Sequence, residues 1–564
     1  MNAENLEKKH LVGIRREDKS YWERRVTCIP EHCQQIMKQN PDIQFIVQPS
    51  DRRIFSDSEY QDAGCLLSED LSKCSLILGV KEIPISKLMP HKTYMFFSHT
   101  IKAQKDNMPT LDHMLKSKIR MLDYEKITDE NGARLVAFGR FAGIAGAIDY
   151  LAGMGQYLLQ MGYNTPFLGV SPSYKYFNLQ QAYEHIRLVG KNIQKQEIPD
   201  ELSPMVFAIT GKGRCSLGAM EVLQNLPIIE VKPEELKQLC ENKNDPRHKK
   251  NIYVCYIESQ HMVARKSDGK FDKKEYYKKP ENYKPIFADK YLPYISSIFH
   301  NMYWDQRFPR LISCEEIRQL WKTGNRKLIG IGDVTCDFEG SIEFLRKFTT
   351  PDNPFWCYNP IDEDVIDGVN YKKDYILYQS LDFLPCELAN DASTHFSKIL
   401  KEWIPNVARS NIDDPYDKQT LLPHIKRANI TLDGKLTPPF KYITAMRKAN
   451  EAEDQLNSQQ EDNKGLKITQ YMKLFLRGHL FKKQVANLIL DICEENKVQF
   501  NVNHMIPGMN EDYSEMTLLL HSKDGQVLQS TLEKISKICD QHDIQLYDAP
   551  MFNDKNQEHS VPRL

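Results

Sequence analysis

Apolar runs of four to six residues recur along the chain, separated by stretches with helical periodicity. His10–Arg15, Ile43–Val47, Leu76–Val80 and Tyr94–Phe97 predict strands. Pro30 opens a helix, Leu111–Ser117 patterns as another, and the charged stretch Arg16–Arg25 reads as a loop. Strands alternating with helices predict an α/β layer with a largely parallel sheet. Functional groups in such sheets collect beyond the carboxyl ends of the strands. Lys81-Glu82 directly follows the run LILGV, and Ser98-His99 directly follows YMFF.

Leu135–Gly155 is apolar and rich in Gly and Ala, with Arg140 and Asp149 interrupting it. That composition predicts a buried connecting helix, not a membrane span. A second α/β region follows, with candidate strands Met205–Thr210, Ile228–Val231, Ile252–Ile257, Lys327–Ile331 and Tyr375–Tyr378. Met205–Thr210 runs straight into Gly211-Lys212-Gly213, and Gly218-Ala219-Met220 opens a helical pattern. A strand that ends in glycines before a helix suits a pyrophosphate, because the backbone approaches closely and the helix N-terminus offers N–H groups. Gly211, Gly213 and Gly218, with the Arg214 backbone, are the expected loop, and Ser216 occupies the third glycine position of G-x-G-x-x-G.

Arg265–Pro285 reads as a solvated polar loop and Pro385–Trp403 as one helix. The charged, Gln-rich stretch 447–467 reads as a linker. Thr469–Leu476, Val498–Met505, Tyr513–His521 and Ile544–Tyr547 are strand-like, with amphipathic helices after the first and third, giving the β-α-β-β-α-β order. The expected fold is therefore α/β: two Rossmann-like doubly wound domains with an interdomain cleft, and a small C-terminal α+β ferredoxin-like domain. The expected boundaries are 1–200 completed by 382–446, then 201–381, and 468–550 after the linker.

The chain has 564 residues, 41 % of them hydrophobic and 27 % charged, which suits a globular protein of several domains. A net charge of −1 argues against a nucleic-acid partner. No apolar run approaches the about 20 residues of a membrane span. The 13 cysteines form no C-x-x-C pair, so no metal site is expected, and reduced thiols in a cytosol-like compartment are.

RREDKSYWERRVTCIPEH resembles the opening of the alanine dehydrogenase/transhydrogenase/saccharopine dehydrogenase superfamily, whose members run E-x-K…E-x-R-V-x-x-x-P. RLVAFGRFAGIAGAIDYLAGMG, FAITGKGRCSLGAMEVLQNLP, MYWDQRFPRLI, GDVTCDFEGSIEFL and ITLDGKLTPPFKYI all resemble the lysine–2-oxoglutarate reductase half of bifunctional α-aminoadipic semialdehyde synthases. A counterpart of the saccharopine dehydrogenase half is missing, so a monofunctional reductase or a fragment is expected. The resemblance makes region 1–200 an alanine-dehydrogenase-like substrate domain. It implies that L-lysine and 2-oxoglutarate condense and that NADPH reduces the imine to saccharopine. Homo-oligomerisation is left open.

By the same resemblance Arg25 binds a substrate carboxylate, and Lys81 and His99 form the acid–base pair. Glu82, adjacent to Lys81, would tune that lysine at the substrate side. Asp333 and Asp337, beyond strand Lys327–Ile331, match aspartates near nicotinamide and substrate, although Asp also caps turns. Arg134 is a further cleft residue. Glu230 lies about 20 residues beyond Gly211, where an acid meets the ribose of NAD. Lys232, on the same side of an extended strand, would instead meet the 2′-phosphate of NADP. The competing readings are an NAD-dependent saccharopine or alanine dehydrogenase and a catalytically silent lysine-sensing scaffold. The expected compartment is the cytoplasm, with mitochondria as the alternative that animal relatives suggest.

Overall fold

The computed structural model describes residues 9–450, 470–480, 485–506, 514–522, 525–548 and 552–553. The chain divides into two compact units, Met1–Arg447 and Lys448–Leu564. No helix among the described residues is long and apolar enough to cross a membrane.

The first unit contains two eight-stranded sheets. In the first sheet, His10–Ile14, Ile43–Val47 and Leu66–Leu67 lie in order on one side. Leu76–Leu78, Thr93–Phe96 and Arg120–Asp123 lie on the other, all parallel. This is the doubly wound order, and it reverses between His10–Ile14 and Leu76–Leu78, where a crevice opens at the carboxyl ends of the strands. Asn429–Leu432 and Lys435–Leu436 close one edge antiparallel. These strands were hydrophobic in sequence because both sheet faces are covered.

The second sheet is built on Met205–Thr210, flanked by Ser297–His300 and Ile252–Ile257. Gly330–Asp333 and Ile376–Gln379 extend one side in parallel, and Phe355–Tyr358 and Val365–Asp367 follow antiparallel. On the other side Ile228–Glu230 pairs with Ile252–Ile257, not with Met205–Thr210. The strand that follows the glycine loop in sequence is thus one place further out than the spacing argument assumed.

Two helices hold this arrangement. Helix α1, Gly139–Gln160, is buried almost all round, as its composition predicted. It crosses helix α2, Arg214–Leu223, so closely that only glycine fits. A Cβ at Gly143 would lie 1.9 Å from the Cys215 carbonyl oxygen, and one at Gly218 would lie 2.1 Å from that of Arg140. Gly218 is therefore a packing residue inside α2, and its expected place in the pyrophosphate loop is corrected.

Other departures are local. Arg265–Pro285 is not a plain loop: Val263–Arg265 pairs with Tyr283–Pro285, and Lys273–Lys278 is helical between them. Its tyrosines are structural, with the Tyr276 and Tyr283 rings 5.2 Å apart. The helix expected over Pro385–Trp403 breaks at Leu388 into α3, Leu384–Glu387, and α4, Ala389–Leu400.

In the second unit, Gln470–Gly478, Val485–Glu495, Gln499–Ile506, Ser514–Ser522, Gly525–His542 and Gln545–Asp548 run strand, helix, strand, strand, helix, strand. Gln470–Gly478 lies between Ser514–Ser522 and Gln545–Asp548, and every pairing of the four strands is antiparallel. From residue 451 the stretch expected as a linker lies outside the described residues.

Candidate active site

The crevice of the first sheet is closed by a carboxylate. Glu17, in the loop after His10–Ile14, accepts the Val80 amide at 2.7 Å and the Lys81 amide at 3.0 Å. One loop side chain thereby fixes the turn that presents Lys81, whose Nζ lies 5.7 Å from the centre of the Phe383 ring. Burial pushes the Glu17 carboxyl up to about 7. Glu17 belongs to the E-x-K motif, but no strand-end argument singles it out, because its partners are backbone amides distant in sequence.

His99 lies beyond the end of Thr93–Phe96 and takes a left-handed φ of +52°. That turn points its Nδ1 at Glu82 Oε1, 2.5 Å away. The bond to Glu82 raises the His99 pKa. Burial works against the Glu82 charge, but His99 outweighs it and holds the carboxyl down at about 2. Lys19 Nζ stands 4.0 Å from the other Glu82 oxygen. Glu82 therefore orients and charges the histidine, which corrects its expected role as a tuner of Lys81. Lys81 is near enough to His99 to oppose this protonation. The two expected acid–base residues are thus brought together.

Arg25 is buried and already gripped. Its Nε and Nη2 donate to the two Glu23 oxygens at 2.8 and 2.6 Å, and its guanidinium carbon sits 4.4 Å from the centre of the Phe138 ring. A fork held this way cannot offer the same edge to a substrate, which leaves Nη1 outside the Glu23 pair. The following loop is pinned to α4, where Ser393 accepts the Val26 amide and Ser397 the Ile29 amide, both at 2.9 Å. Arg134 is exposed and ion-paired with Glu125, while its carbonyl oxygen accepts a bond from Arg214 at 3.0 Å. Arg134 and Arg214 thus tie the two halves of the first unit together.

At the second sheet, Gly211 has φ +71° and Gly213 caps α2 without any side-chain cap. Ser216 is buried and donates to the Thr210 carbonyl oxygen at 2.8 Å. The serine in the third glycine position thereby ties the helix back to its strand. Uncapped N–H groups at the start of α2 beside a left-handed glycine fit a dinucleotide pyrophosphate, with Gly211, Gly213 and the Arg214 backbone as its cradle.

The strand beside the glycine loop differs from the sequence reading. Glu258 follows Ile252–Ile257, the strand next to the glycine loop, and ion-pairs with Lys212 at 2.9 Å. Glu230 is exposed at the end of a strand one place further out, about 10 Å from the loop strand at ordinary spacing. The strand ends there, so alternation does not carry on to Lys232, whose amide instead bonds Glu235 at 2.8 Å. Glu258 and Lys212 are the charged pair that stands beside the glycine loop.

Asp333 ends its strand and is not beyond it, because the strand begins at Gly330. Its Oδ1 accepts the Thr335 and Cys336 amides, each at 3.0 Å, and its Oδ2 accepts the Tyr378 hydroxyl at 2.7 Å. Asp333 thus shapes the turn, with one acceptor position of Oδ2 left unused by these bonds. Asp337 differs. Its Oδ2 is buried with no hydrogen-bond partner. Burial, with Asp333 adding to it, pushes the carboxyl up to about 6 against the pull of Lys102, which follows His99 closely. Lys102 is thus close enough to Asp337 to act on its charge.

His300 was missed, because the strand Ser297–His300 carries no clear apolar pattern. It is buried, lies 3.1 Å from Thr210 Oγ1 through Nδ1, and has its pKa lowered by burial.

Residues 13–145 match the family model for the alanine dehydrogenase/PNT N-terminal domain. Over 547 residues the chain is 39 % identical to alpha-aminoadipic semialdehyde synthase of Arabidopsis thaliana, covering 94 % of this chain and 50 % of that one. It is 34 % identical to the Bos taurus alpha-aminoadipic semialdehyde synthase, mitochondrial, across 93 % of this chain and 58 % of the relative. A saccharopine dehydrogenase [NAD(+), L-lysine-forming] of Emericella nidulans is 25 % identical over 67 % of this chain and 87 % of its own. The chain spans about half the length of the curated synthases it matches. The resemblance read from the sequence is borne out: residues 13–145 match the family model for the alanine dehydrogenase/PNT N-terminal domain, and the chain is similar along most of its length to about half of alpha-aminoadipic semialdehyde synthase.

Proposed function

We propose that the chain is a lysine–2-oxoglutarate reductase, joining the ε-amine of L-lysine to the ketone of 2-oxoglutarate and reducing the imine to saccharopine with NADPH. The observation that carries this reading is the placement of Lys81 beside the Glu82–His99 pair at the doubly wound crevice. NADPH, cradled by Gly211, Gly213 and Arg214 with Lys212 toward its 2′-phosphate, supplies the hydride when bound.

The residues divide the remaining work. Arg25, braced by Glu23, takes a substrate carboxylate on its Nη1 edge. Lys81 removes the proton that the attacking amine must lose. His99, kept protonated by Glu82, donates to the carbinolamine hydroxyl so that it leaves as water. Asp337, with a carboxyl near 6 and an oxygen free of protein partners, accepts a hydrogen bond from the nitrogen at the reacting centre.

The deciding assay follows NADPH and NADH oxidation with lysine plus 2-oxoglutarate, and then with pyruvate plus ammonia. Lysine- and oxoglutarate-dependent loss of NADPH is expected. Preference for pyruvate plus ammonia moves the chain to the sister dehydrogenases, and no turnover with either pair leaves the silent scaffold.

A further inference from the structure

The first sheet has a built cavity that the proposed reaction does not use. Strand alternation sends Ile14 to the face that carries Phe97 and Phe138, and sends Arg15 to the other. There Leu71, Ile77, Met89 and Tyr94 form the apolar floor of a cavity of about 190 Å³. Arg15 lines it with a side chain only 6 % exposed.

The charges at its wall are incompletely matched. Arg15 Nη2 donates to Asp18 Oδ2 at 2.8 Å, and Lys87 Nζ reaches the same oxygen at 2.6 Å. Two cations thus crowd one carboxylate oxygen. Arg15 Nη1 and Asp18 Oδ1 are left buried without any hydrogen-bond partner. Burial pushes the Asp18 carboxyl up, but Arg15 and Lys87 outweigh it and keep it below the usual range, so the unused oxygen is anionic. At the rim Arg16 is already paired with Glu69 at 2.7 Å and adds no open charge. Unmade bonds to buried charged groups are expensive, which makes the pair a receptor for something that completes both.

One cationic donor beside one anionic acceptor above an apolar floor is the complement of an α-amino acid. The ligand carboxylate would take Arg15 Nη1, its ammonium would reach Asp18 Oδ1, and an aliphatic side chain would lie on Ile77 and Tyr94. A ligand with a single charge would complete only one of the two. A lone water fills about 30 Å³ and would leave most of the volume empty.

We propose that this cavity is a second binding site, for a free aliphatic L-α-amino acid, on the sheet face away from Phe97 and Phe138. It adjoins the chemistry without being part of it. Glu17, which holds the Val80 and Lys81 amides, lies between Arg15 and Asp18 in the chain, and the Arg15 stem packs beside Gly79.

The test titrates the full chain calorimetrically with L-norleucine, which lacks the ε-amine, in the absence of nucleotide and keto acid. Its readout needs no turnover, so it stands apart from the proposed reaction. Norleucine is expected to bind, and hexanoate and hexylamine to bind at least ~10-fold more weakly, since each completes one charge-assisted bond. Arg15→Met and Asp18→Asn should each weaken norleucine at least ~10-fold, while Arg25→Met in the cleft should not. No binding up to about 10 mM, the weak end of small-ligand affinity, overturns the proposal. So does hexanoate binding as well as norleucine, or norleucine binding that is lost in Arg25→Met and kept in Asp18→Asn. Should either wall variant fail to fold, the comparison of the three ligands on the unaltered chain decides.

Discussion

Beyond the strand ends of the first sheet, several titratable groups are held in charged pairs, whereas around Gly330–Asp333 of the second sheet burial shifts them toward their neutral forms. Glu82 lies near 2 with His99 raised against it, and Arg25 stays charged in its buried site because Glu23 outweighs the burial. At the second sheet burial lowers His300, raises the Cys336 thiol and lifts Asp337 to about 6. Glu17 and Asp123 depart from this on the first sheet, where burial raises both, Glu17 to about 7. The contrast separates two duties. In the proposed reaction the charged pairs would bind carboxylates and trade protons with reactants, and the buried groups at the second sheet would line the place where a hydride donor lies.

The largest expected effect comes from the glycine crossing that holds the second sheet in place. Gly218→Leu drives a side chain into the Arg140 carbonyl and should cost about 3 kcal/mol or more of stability, seen as a lower Tm. A pyrophosphate-loop role would instead raise the NADPH KM and leave Tm unchanged.

Next is Lys212→Met, which should raise the KM for NADPH about 10-fold through loss of a charge-assisted bond and change NADH little. Glu230→Gln should alter neither. An effect at Glu230 that equals the one at Lys212 would return the ribose to the outer strand.

Glu82→Gln tests the charged pairs. Removing the carboxylate lets His99 fall toward its ordinary value near 6.5, so the alkaline limb of kcat/KM should move to lower pH. In the unaltered protein the stabilisation from the raised His99 is complete below the unfolded His value and fades as pH rises through the folded one. An unmoved limb would detach His99 from the proton transfer.

Asp337→Asn should have the smallest effect. A carboxyl near 6 when folded and about 3.9 when unfolded binds its proton more tightly in the fold, so stability falls as pH rises between those values. The variant lacks that slope, and its Tm relative to the unaltered protein should be higher at pH 7 than at pH 4. Equal differences at both pH values would place Asp337 in water, not in the buried turn.

Much of this was legible from residues. Met205–Thr210, Ile43–Val47 and Ile252–Ile257 were read with the bounds they have, because buried parallel strands are apolar runs cut off by glycine or charge. Lys81 and His99 were legible because each follows such a run. Pairing was not. The sheet order that places Ile252–Ile257 between Met205–Thr210 and Ile228–Glu230 has no signature along the chain, so only Glu230 and Lys232 were weighed for the ribose. Glu23, two residues before the expected Arg25, and Glu17 were hidden for the same reason, since charged residues in a loop look solvated until their partners are known. Asp333 was open to two readings because a capping aspartate and a ligand-binding one look alike in sequence.

The most direct test of this account compares the unaltered chain with Lys81→Met/His99→Gln, following NADPH oxidation and identifying the product by mass. The account predicts saccharopine that needs both lysine and 2-oxoglutarate, and a kcat/KM at least ~10²-fold lower in the double variant at unchanged Tm. The same rate in both proteins, or NADPH loss that does not depend on lysine, would contradict it.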